Sequence, residues 1–423
     1  MIFTYTYKQP ITPTPLLFQM AKESGEIYSK ALNLNKEHKT FKEITKICYQ
    51  DYQENGKVLH SQSAQASYEA FIESLKAYFK ALKAFKKNPK KVSGEPKPPR
   101  KYKFLFKIEF KKTAIRFKDN FLLLSVKKPN EPIKIPWSKF LPVPHYVIIN
   151  YNKFEGWNVN FILQKEITEE KLDHNKALSI DLGVKRIATA FNSTNNEIKT
   201  YSGKEVMSLI RLRNVVDGRI QSKKSYYENG SRKHKKFQRA KRKIIRRIKN
   251  KQKDILHKYS RIIVNDCIKN KISKIIIGDN SGTHIDTNKG KQNQKIQQNP
   301  EQVLAKYIEY KMKSVGGQTN FVPEPYTSRT CPKCQHINGH KTKGRIFVCD
   351  ACGFKFDRDG VGSLNIFKEN VSFDYDKWLD VVGNLTFPIG IKYSKDIKVP
   401  RLSPSNRIID LKESISQLVL VAL

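Results

Sequence analysis

The stretch ALSIDLGVKRIATAF, residues 177–191, decides the fold of this chain. Its apolar start predicts a buried strand that ends at Asp181, and Gly183 permits a sharp turn into a second apolar strand. Asp181 is therefore expected at an exposed strand end beside a tight turn. A lone aspartate in such a place is more often a turn or capping residue than a catalytic one, so its role depends on what else reaches the same edge.

The segments after residue 191 predict that this sheet continues, with helices between its strands. Pro300 favours the start of a helix, and the Gly316–Gly317 pair favours its end. The predicted order is three strands, a helical region, a strand, a helix and a strand. In sequence, these later elements are a strand near 197–201, basic helices over 203–270, a strand at 274–280, a helix over 300–317 and a strand within 319–328.

The composition of the chain points to a polyanionic partner. Its 423 residues include 80 Lys and Arg against 39 Asp and Glu, which gives a formal charge of +41. A chain with this charge repels itself unless a polyanion neutralises it, and nucleic acid is the usual one. An ordinary metabolic enzyme is therefore not the first hypothesis. The 39% of hydrophobic residues argues against broad disorder.

The positive charge is concentrated in one predicted helix, residues 232–251, where 12 of 20 residues are Lys or Arg and none is acidic. A short charge run is usually a solvated helix face. Here the charges cover most of the helix circumference, so we favour contact with a nucleic-acid backbone, which fixes position without reading sequence. The candidate backbone contacts are Lys235, Lys236, Arg239, Arg242, Arg246 and Arg247.

Four of the six cysteines form two C-x2-C pairs separated by residues 335–348. The sequence has no signal peptide and no apolar run of membrane-spanning length, so we expect a reducing intracellular setting in which such cysteines bind metal. This spacing is typical of a tetrahedral zinc ribbon, and four thiolates leave no open position, so the zinc is expected to be structural. His336 and His340 lie between the pairs and are expected at the surface. The four expected ligands are Cys331, Cys334, Cys349 and Cys352.

Residues 1–170 combine strands with a helical segment. Over residues 14–85 apolar residues recur at helical spacing, and we interpret their aromatic stripe as a helical core rather than a base-stacking surface. Short strands recur over 104–166, which predicts a small barrel or sheet that also contains a strand at residues 1–8. The stripe consists of Tyr68, Phe71, Leu75, Tyr78, Phe79, Leu82 and Phe85.

Three segments together resemble the TnpB family, RNA-guided nucleases of bacterial transposons that are related to small type V CRISPR effectors. They are SIDLGVKRIATAF, the cysteine segment TSRTCPKC with CDACG, and DRDGVGSLNIF at 357–367. The resemblance is specific across about 177–368 and looser before residue 170. It implies an α/β multidomain protein. Its RNase H-like (RuvC) nuclease domain is interrupted by a zinc ribbon, and its N-terminal small β-barrel carries an inserted helical lobe.

The resemblance also implies the domain bounds. A C-terminal tail is expected to stand apart because residues beyond 370 lack the basic excess of the rest. The expected bounds are 1–10 with 101–170 for the wedge-like barrel, 11–100 for the helical recognition lobe, 171–330 with 353–370 for the nuclease domain, 331–352 for the zinc ribbon and 371–423 for the tail.

The family's catalytic set is Asp, Glu and Asp, and two of the three match this sequence. The first is Asp181, and the last is Asp359, directly before a helix of small residues; Asp357 is expected to be a turn or cap residue. The middle Glu normally ends the fourth strand, where this chain has Gly278. Asp279 is adjacent, but successive strand residues point to opposite faces of a sheet.

Two interpretations of the missing Glu remain open. The site has lost cleavage, or the carboxylate has moved to Glu324 at the end of the fifth strand. In an RNase H-like sheet that strand is expected beside the first and fourth strands, so we favour relocation. Asp181 would then bridge two magnesium ions, with Asp359 and Glu324 each holding one, in a metal-assisted hydrolysis.

The function that the resemblance implies is RNA-guided cleavage of double-stranded DNA, with guide RNA and target DNA as partners and no membrane. The expected setting is the cytoplasm of a prokaryote, in association with the nucleoid. A guided DNA-binding repressor without cleavage and an autonomous DNA transposase are the alternatives. Three converging carboxylates favour the nuclease, and strand transfer without RNA would indicate the transposase. The sequence carries no signal for an oligomeric state.

Overall fold

The computed structural model divides the chain into two compact units, Ile2–Glu166 and Ile167–Leu423. No helix among the described residues has an apolar stretch long enough to cross a bilayer. The description covers every residue except 1, 90–93, 102–104, 139–140, 153–154, 167–171, 280–297, 324–325, 340–343, 372–374 and 394–423.

The N-terminal unit contains two antiparallel sheets that share one apolar core, with Phe110, Leu122 and Phe161 fully buried. One sheet has the order β1-β7-β6-β2, and the other is the meander β3-β4-β5. The first strand of the chain therefore pairs with the last strand of the unit, as expected for a sheet with an insertion; the closed barrel stays a prediction. The strands are β1 (Ile2–Pro10), β2 (Ile108–Lys111), β3 (Ile115–Lys118), β4 (Phe121–Leu124), β5 (Ile133–Pro136), β6 (Tyr146–Asn152) and β7 (Gly156–Glu166).

Helices α1 (Pro15–Lys36), α2 (Phe41–Asn55) and α3 (Ser61–Lys87) lie between β1 and β2 in the chain. A capping box starts α2, where Thr40 and Glu43 bond each other's backbone N–H groups. The core interpretation of the aromatic stripe is confirmed for Tyr68, Phe71 and Leu75, which are buried. It is wrong for Phe79, which is 54% exposed, because the buried face of α3 ends at Leu75.

The sheet of the C-terminal unit has the strand order β12-β11-β8-β9-β10-β15. Strands β8, β11 and β12 are parallel, and β9 runs antiparallel between β8 and β10. The fifth predicted strand, β12, lies beside β11 only, so the expectation that it also lies beside β8 is wrong. The strands are β8 (Asp173–Asp181), β9 (Arg186–Asn192), β10 (Glu197–Ser202), β11 (Ile272–Asp279), β12 (Gln318–Pro323), the hairpin strands β13 (Ile346–Val348) and β14 (Lys355–Asp357), and β15 (Ile389–Ile391).

Helices cover both faces of this sheet. Residues such as Ile180, Ile275 and Ile277 pack with α5 and α6 on one face. Ala177 and Ile276, which alternate with them, pack on the other face with α7, α8 and the cysteine hairpin. The sheet is thus buried on both sides, as the near-continuous apolar strands require. The helices are α4 (Lys204–Ser225), α5 (Arg232–Lys269), α6 (Glu301–Lys313), α7 (Arg358–Asn370) and α8 (Tyr375–Gly383).

The start of the expected tail belongs to this unit. Strand β15 extends the sheet by parallel pairing with β10. The indole Nε1 of Trp378 on α8 donates to the carbonyl oxygen of Pro332 at 2.8 Å, and the ring is buried against α7. The boundary expected at residue 370 is therefore too early, because Trp378 and Ile391 supply apolar surface that the core buries. Residues 394–423 lie outside the described part.

A buried lysine joins α5 to α6. Lys311 on α6 is 3% exposed, and its Nζ donates to the backbone oxygen of His257 at 2.7 Å and to Ser260 Oγ. The Tyr307 and Tyr310 rings lie about its ammonium group at 6.0 and 5.8 Å from their centroids. Burial, with the charge of Arg261, lowers the pKa of Lys311 to about 7.

The lowered pKa of Lys311 determines in which direction the stability of the protein changes with pH. An unfolded lysine keeps its proton up to about pH 10.4, whereas folded Lys311 loses it near pH 7. The unfolded state binds more protons between these values, so the free energy of unfolding rises with pH there. We expect the melting temperature of Lys311→Met, taken relative to wild type, to fall as the pH is raised from 7 to 9.5. The control is Lys313→Met, exposed on the same helix. Parallel curves for all three proteins would contradict the lowered pKa.

Candidate functional site

The site forms where the end of β8 meets the first turns of α7. Asp181 is the last residue of β8, and its carboxylate lies against Gly362, where a Cβ would come within 2.6 Å of Oδ2. Two residues before Asp181 on β8, Ser179 Oγ donates to the backbone oxygen of Ser363, which follows Gly362 on α7, at 2.7 Å. Side chains of β8 therefore pack directly on the backbone of α7, and Asp181 faces this helix.

Asp359 lies in the first turn of α7, three residues before Gly362, and positions three apart share a helix face. Its carboxylate is 3.5 Å from Nη1 of Arg186 and 3.3 Å from Nη2 of Arg358. The structure thus brings Asp181 and Asp359 to the same end of α7. A carboxylate in the first helical turn also faces the positive end of the helix dipole.

Asp357 has the capping role that the sequence predicts. It is the N-cap of α7, and its Oδ1 accepts from the N–H of Gly360 at 3.0 Å. The same oxygen is 2.5 Å from Nη1 of Arg186, and both side chains are largely buried. Arg186, at the start of β9, therefore bridges the cap residue and Asp359. The sequence analysis did not identify Arg186, because its importance depends on a contact 171 residues away.

The position of Gly278 follows from the strand register. Ile277 pairs with Ile180, and Gly278 pairs with Val322, so Gly278 is level with Asp181. Side chains at this level point toward α7, because Val322 packs in the apolar core on the α7 side of the sheet. Asp279 belongs to the opposite face, because its Oδ1 accepts from Nε2 of Gln302 on α6 at 3.1 Å. Asp279 is therefore no direct substitute for a carboxylate at residue 278.

A further carboxylate that the sequence analysis missed lies at the start of α6. The Nδ2 of Asn299 donates to Glu301 Oε2 at 2.7 Å and to the backbone oxygen of Gly183 at 3.1 Å. Burial, together with the charge of Asp279, raises the pKa of Glu301. These bonds tie the start of α6 to the turn that follows Asp181. The only sequence signal was the helix start after Pro300.

Glu324 lies outside the described residues, so its predicted role stays a prediction. The chain directly after it is held by α7. The Nδ2 of Asn365 donates to the backbone oxygens of Thr327 and Thr330 at 2.7 and 2.8 Å. Thr327 and Thr330 are therefore bound to the same helix that carries Asp359.

The four cysteines converge as predicted. Their sulfur atoms all lie within 4.8 Å of one another, the one such group of metal-binding side chains among the described residues. The Cys331–Cys352 and Cys334–Cys349 sulfurs are 3.7 and 3.5 Å apart. Tetrahedral bonds of about 2.3 Å to zinc place sulfurs roughly 3.8 Å apart, so the set fits one zinc ion.

The two cysteine pairs have the same backbone geometry. Gln335 and Gly353, each one residue after the second cysteine of a pair, adopt left-handed conformations with φ of 62° and 69°. The N–H of each donates to the carbonyl of the first cysteine of its pair. Burial opposes ionisation of Cys349, but backbone N–H groups of Cys352 and Ala351 lower its pKa to about 7. This arrangement favours a thiolate at Cys349, whereas burial raises the pKa of Cys331 and of Cys334.

His336 and His340 lie between the two cysteine pairs in the chain. His336 is exposed and stands outside the sulfur group, as predicted. His340 is outside the described residues. Burial lowers the pKa of Lys368 on α7, and the charges of Cys331 and Cys334 oppose this shift. Its Nζ also lies 5.7 Å from the centre of the Trp378 ring.

The basic segment forms the first half of the 38-residue helix α5, which packs along α4. Lys241 forms an ion pair with Asp217 of α4 at 2.6 Å. The buried residues of α5 begin at Ile248, so the preceding turns present their charges to solvent. Of the predicted backbone contacts, Arg246 is half-buried, and the exposed ones are Lys235, Lys236, Arg239, Arg242 and Arg247.

Two family models match this chain. The family model OrfB_IS605, described as "Probable transposase", matches residues 160–283, which include Asp181 and the basic helix. The Cas12f1-like TNB domain model matches residues 303–366, which include the cysteines and Asp359. A TnpB-like protein of Methanocaldococcus jannaschii is 27% identical over 55% of this chain and 87% of its own length.

These matches show that the chain is similar to TnpB-like proteins. It is also similar to a protein of Escherichia coli K12 with the name "Putative RNA-guided DNA endonuclease InsQ". The two are 27% identical over 50% of this chain and 53% of InsQ, so the match spans about half the length of that relative. The fold is similar to that of Cas12f1 in a cryo-EM structure of the Cas12f1–sgRNA–target DNA complex. The TM-score is 0.55 at 17% identity, over 84% of this chain and 83% of the other.

The sulfur geometry predicts the outcome of removing one ligand. Cys331 is fully buried in the core that also contains residues of α7. We expect Cys331→Ser to release zinc and to lower the melting temperature, because metal-binding energy at such sites is folding energy. Zinc content and thermal melting measure this. His336→Ala is the matched control and should keep its zinc; a zinc-loaded Cys331→Ser protein would contradict the four-thiolate site.

A second prediction concerns the buried ion pair of Arg186. Removing Arg186 leaves Asp357 buried with one remaining N–H partner, and breaking such pairs typically costs about 3–5 kcal/mol. Arg186→Ala should therefore unfold at clearly lower urea concentration than wild type. Arg358→Ala is the control, since its side chain is 39% exposed and pairs near the surface. Equal effects of the two substitutions would show that the Arg186 pair is not specially desolvated.

Proposed function

We propose that this chain is a member of the TnpB family, a transposon-encoded, RNA-guided DNA endonuclease that cleaves target DNA at the β8–α7 site. The observation that carries the proposal is the contact of Asp181 with Gly362, one turn from Asp359. Two carboxylates on different elements thereby reach the same end of α7. Two similar proteins, InsQ and the TnpB-like protein of Methanocaldococcus jannaschii, support DNA cleavage as the reaction class.

The catalytic carboxylates would be Asp181, Glu324 and Asp359. Val322 faces α7, and Glu324 follows it by two positions, so continued strand alternation would direct Glu324 to the side of Asp181. The bonds from Asn365 to the segment after Glu324 support this placement. Gly278 would leave the space between the two strands open for the longer Glu side chain.

These oxygens suit magnesium, which prefers carboxylate ligands and retains several waters. When bound, a pair of magnesium ions supplies an activated water and stabilises the leaving oxygen of the DNA strand. Asp181 would hold both magnesium ions, and Asp359 and Glu324 would hold one ion each. Arg186 would hold the Asp357 cap and so keep the first turn of α7, with Asp359, in place.

Guide RNA and double-stranded target DNA are the proposed partners. Base pairing with the guide would select the target, while the protein would contact the phosphate backbone and a short adjacent DNA motif. The exposed lysines and arginines of α5 would make backbone contacts. The zinc would be structural, and the setting the prokaryotic cytoplasm near the nucleoid. The wedge-like barrel, helical lobe, nuclease domain and ribbon are the proposed functional parts.

Gly278 favours one further candidate, a guided DNA-binding protein that does not cleave, such as a repressor. It would use the same RNA and DNA partners, and its catalytic edge would lack the third carboxylate. An autonomous transposase is separable from both, because it would join DNA strands without RNA.

The deciding experiment uses the full chain purified with its co-expressed RNA. Glu324→Ala, Asp181→Ala and Asp359→Ala should each abolish magnesium-dependent cleavage by several orders of magnitude, since loss of a ligand removes or misplaces a metal. Guided DNA binding, measured by mobility shift, should persist in all three. Asp279→Asn is the matched control and should cleave within a few-fold of wild type, because its side chain bonds Gln302 on the other face.

The outcomes separate the candidates. Full cleavage by Glu324→Ala would overturn the relocation, and loss of cleavage in Asp279→Asn would move the third ligand to Asp279. If the wild-type complex binds guided DNA but cuts none, the repressor takes the place of the nuclease. Cutting or joining of DNA that needs no RNA would replace both with the transposase.

A further inference from the structure

The tip of the α4–α5 hairpin is a folded turn. The N–H of Tyr227 donates to Lys224 O at 3.2 Å, and the N–H of Ser231 donates to Glu228 O at 3.1 Å. Ser231 caps α5 by accepting from the N–H of His234 at 3.2 Å. The backbone of the turn is therefore held by its own hydrogen bonds, and side chains on it are presented in a fixed direction.

The aromatic residues of the tip have different roles. Tyr227 stacks on Phe237 of α5, with ring centroids 5.6 Å apart and planes 17° apart, and Lys233 lies 5.4 Å from the Tyr227 centroid. This stack closes the hairpin. Its neighbour Tyr226 is 82% exposed, more than any other large hydrophobic side chain in the described part of the chain. Tyr226 therefore does little for the packing of the hairpin.

The surroundings of Tyr226 indicate which partner would cover it. Residues 222–239 contain seven Lys or Arg and one acidic residue, Glu228. An apolar protein surface on this tip would bury several lysines without partners, which is unfavourable. A nucleic-acid strand satisfies both features, because its phosphates pair with the lysines and its bases offer flat aromatic faces.

We propose that Tyr226 is a stacking platform for an unpaired base of RNA, and that the lysines of the tip bind the adjacent phosphates. This rests on the proposed RNA-guided function and adds to it a contact that recognises unpaired structure. Paired bases are already stacked within a duplex, whereas RNA loops and bulges present bases that can stack on aromatic side chains. The tip therefore favours a loop or bulge of the bound RNA over a duplex.

The test measures binding of the full-length protein to two defined RNA probes. One is a hairpin with an unpaired loop that carries 2-aminopurine, and the other is a fully paired RNA duplex of the same length. We expect Tyr226→Ala to weaken binding to the looped RNA by about 5- to 100-fold, the usual range for one stacked base. Duplex affinity should change less than 2-fold. Quenching of the 2-aminopurine signal on binding should be lost.

Two variants separate stacking from other effects. Tyr226→Phe keeps the ring and should bind the looped RNA as wild type does. Leu212→Ala removes an exposed apolar side chain elsewhere on α4 and should have no effect. Tyr226→Ala should leave the salt dependence unchanged, because it removes no charge. Neutralising Lys235, Lys236 and Arg239 together should flatten the salt dependence for both RNAs.

The test distinguishes failure of the stacking site from failure of the proposed function. Wild-type affinity of Tyr226→Ala for the looped RNA, or an equal loss for the duplex, would overturn the stacking site while leaving the nuclease proposal intact. A larger loss on single-stranded DNA than on RNA would assign the platform to DNA and also overturn it. If neither wild type nor any variant bound RNA, the proposed function itself would fail.

Discussion

The close contact between β8 and α7 is the constraint on which the site depends. A Cβ at Gly362 would collide with the Asp181 carboxylate, and the Ser179–Ser363 bond fixes the same approach one step deeper. Small residues in the GVGS stretch of α7 are therefore required by distance rather than by flexibility. Since that helix also carries Asp359, the spacing of strand and helix sets the spacing of the carboxylates.

The cysteine hairpin is coupled to this contact through α7. Asn365 bonds the chain that enters the hairpin, and Trp378 of the next helix bonds Pro332 between the cysteines. Two side chains from two helices thus hold the hairpin, and the hairpin in turn covers the apolar face of the sheet. The cysteine hairpin is therefore part of the core of the unit and not an appendage.

The sequence predicted the features that are local in the chain. Alternation and turn residues placed the strands around Asp181, cysteine spacing predicted the sulfur cluster, and the position of Asp357 before a small-residue helix predicted its capping role. The features it missed depend on contacts between distant segments. Arg186 and Glu301 carry no sequence pattern, Phe79 is exposed because the buried face of α3 ends at Leu75, and β15 is too short to show periodicity.

The level shared by Asp181, Gly278 and Val322 has a consequence for how related sequences are compared. Neighbouring strands lie about 4.8 Å apart, so side chains at one level are interchangeable anchor points around a common space. An acidic group can disappear from one strand and arise on the next while every apolar position of the core is kept. In such a sheet, a set of ligands is defined by where its side chains lie in space and not by their positions in an alignment. A comparison that scores each position separately would count Gly278 as a lost ligand and would not register a carboxylate gained on the next strand.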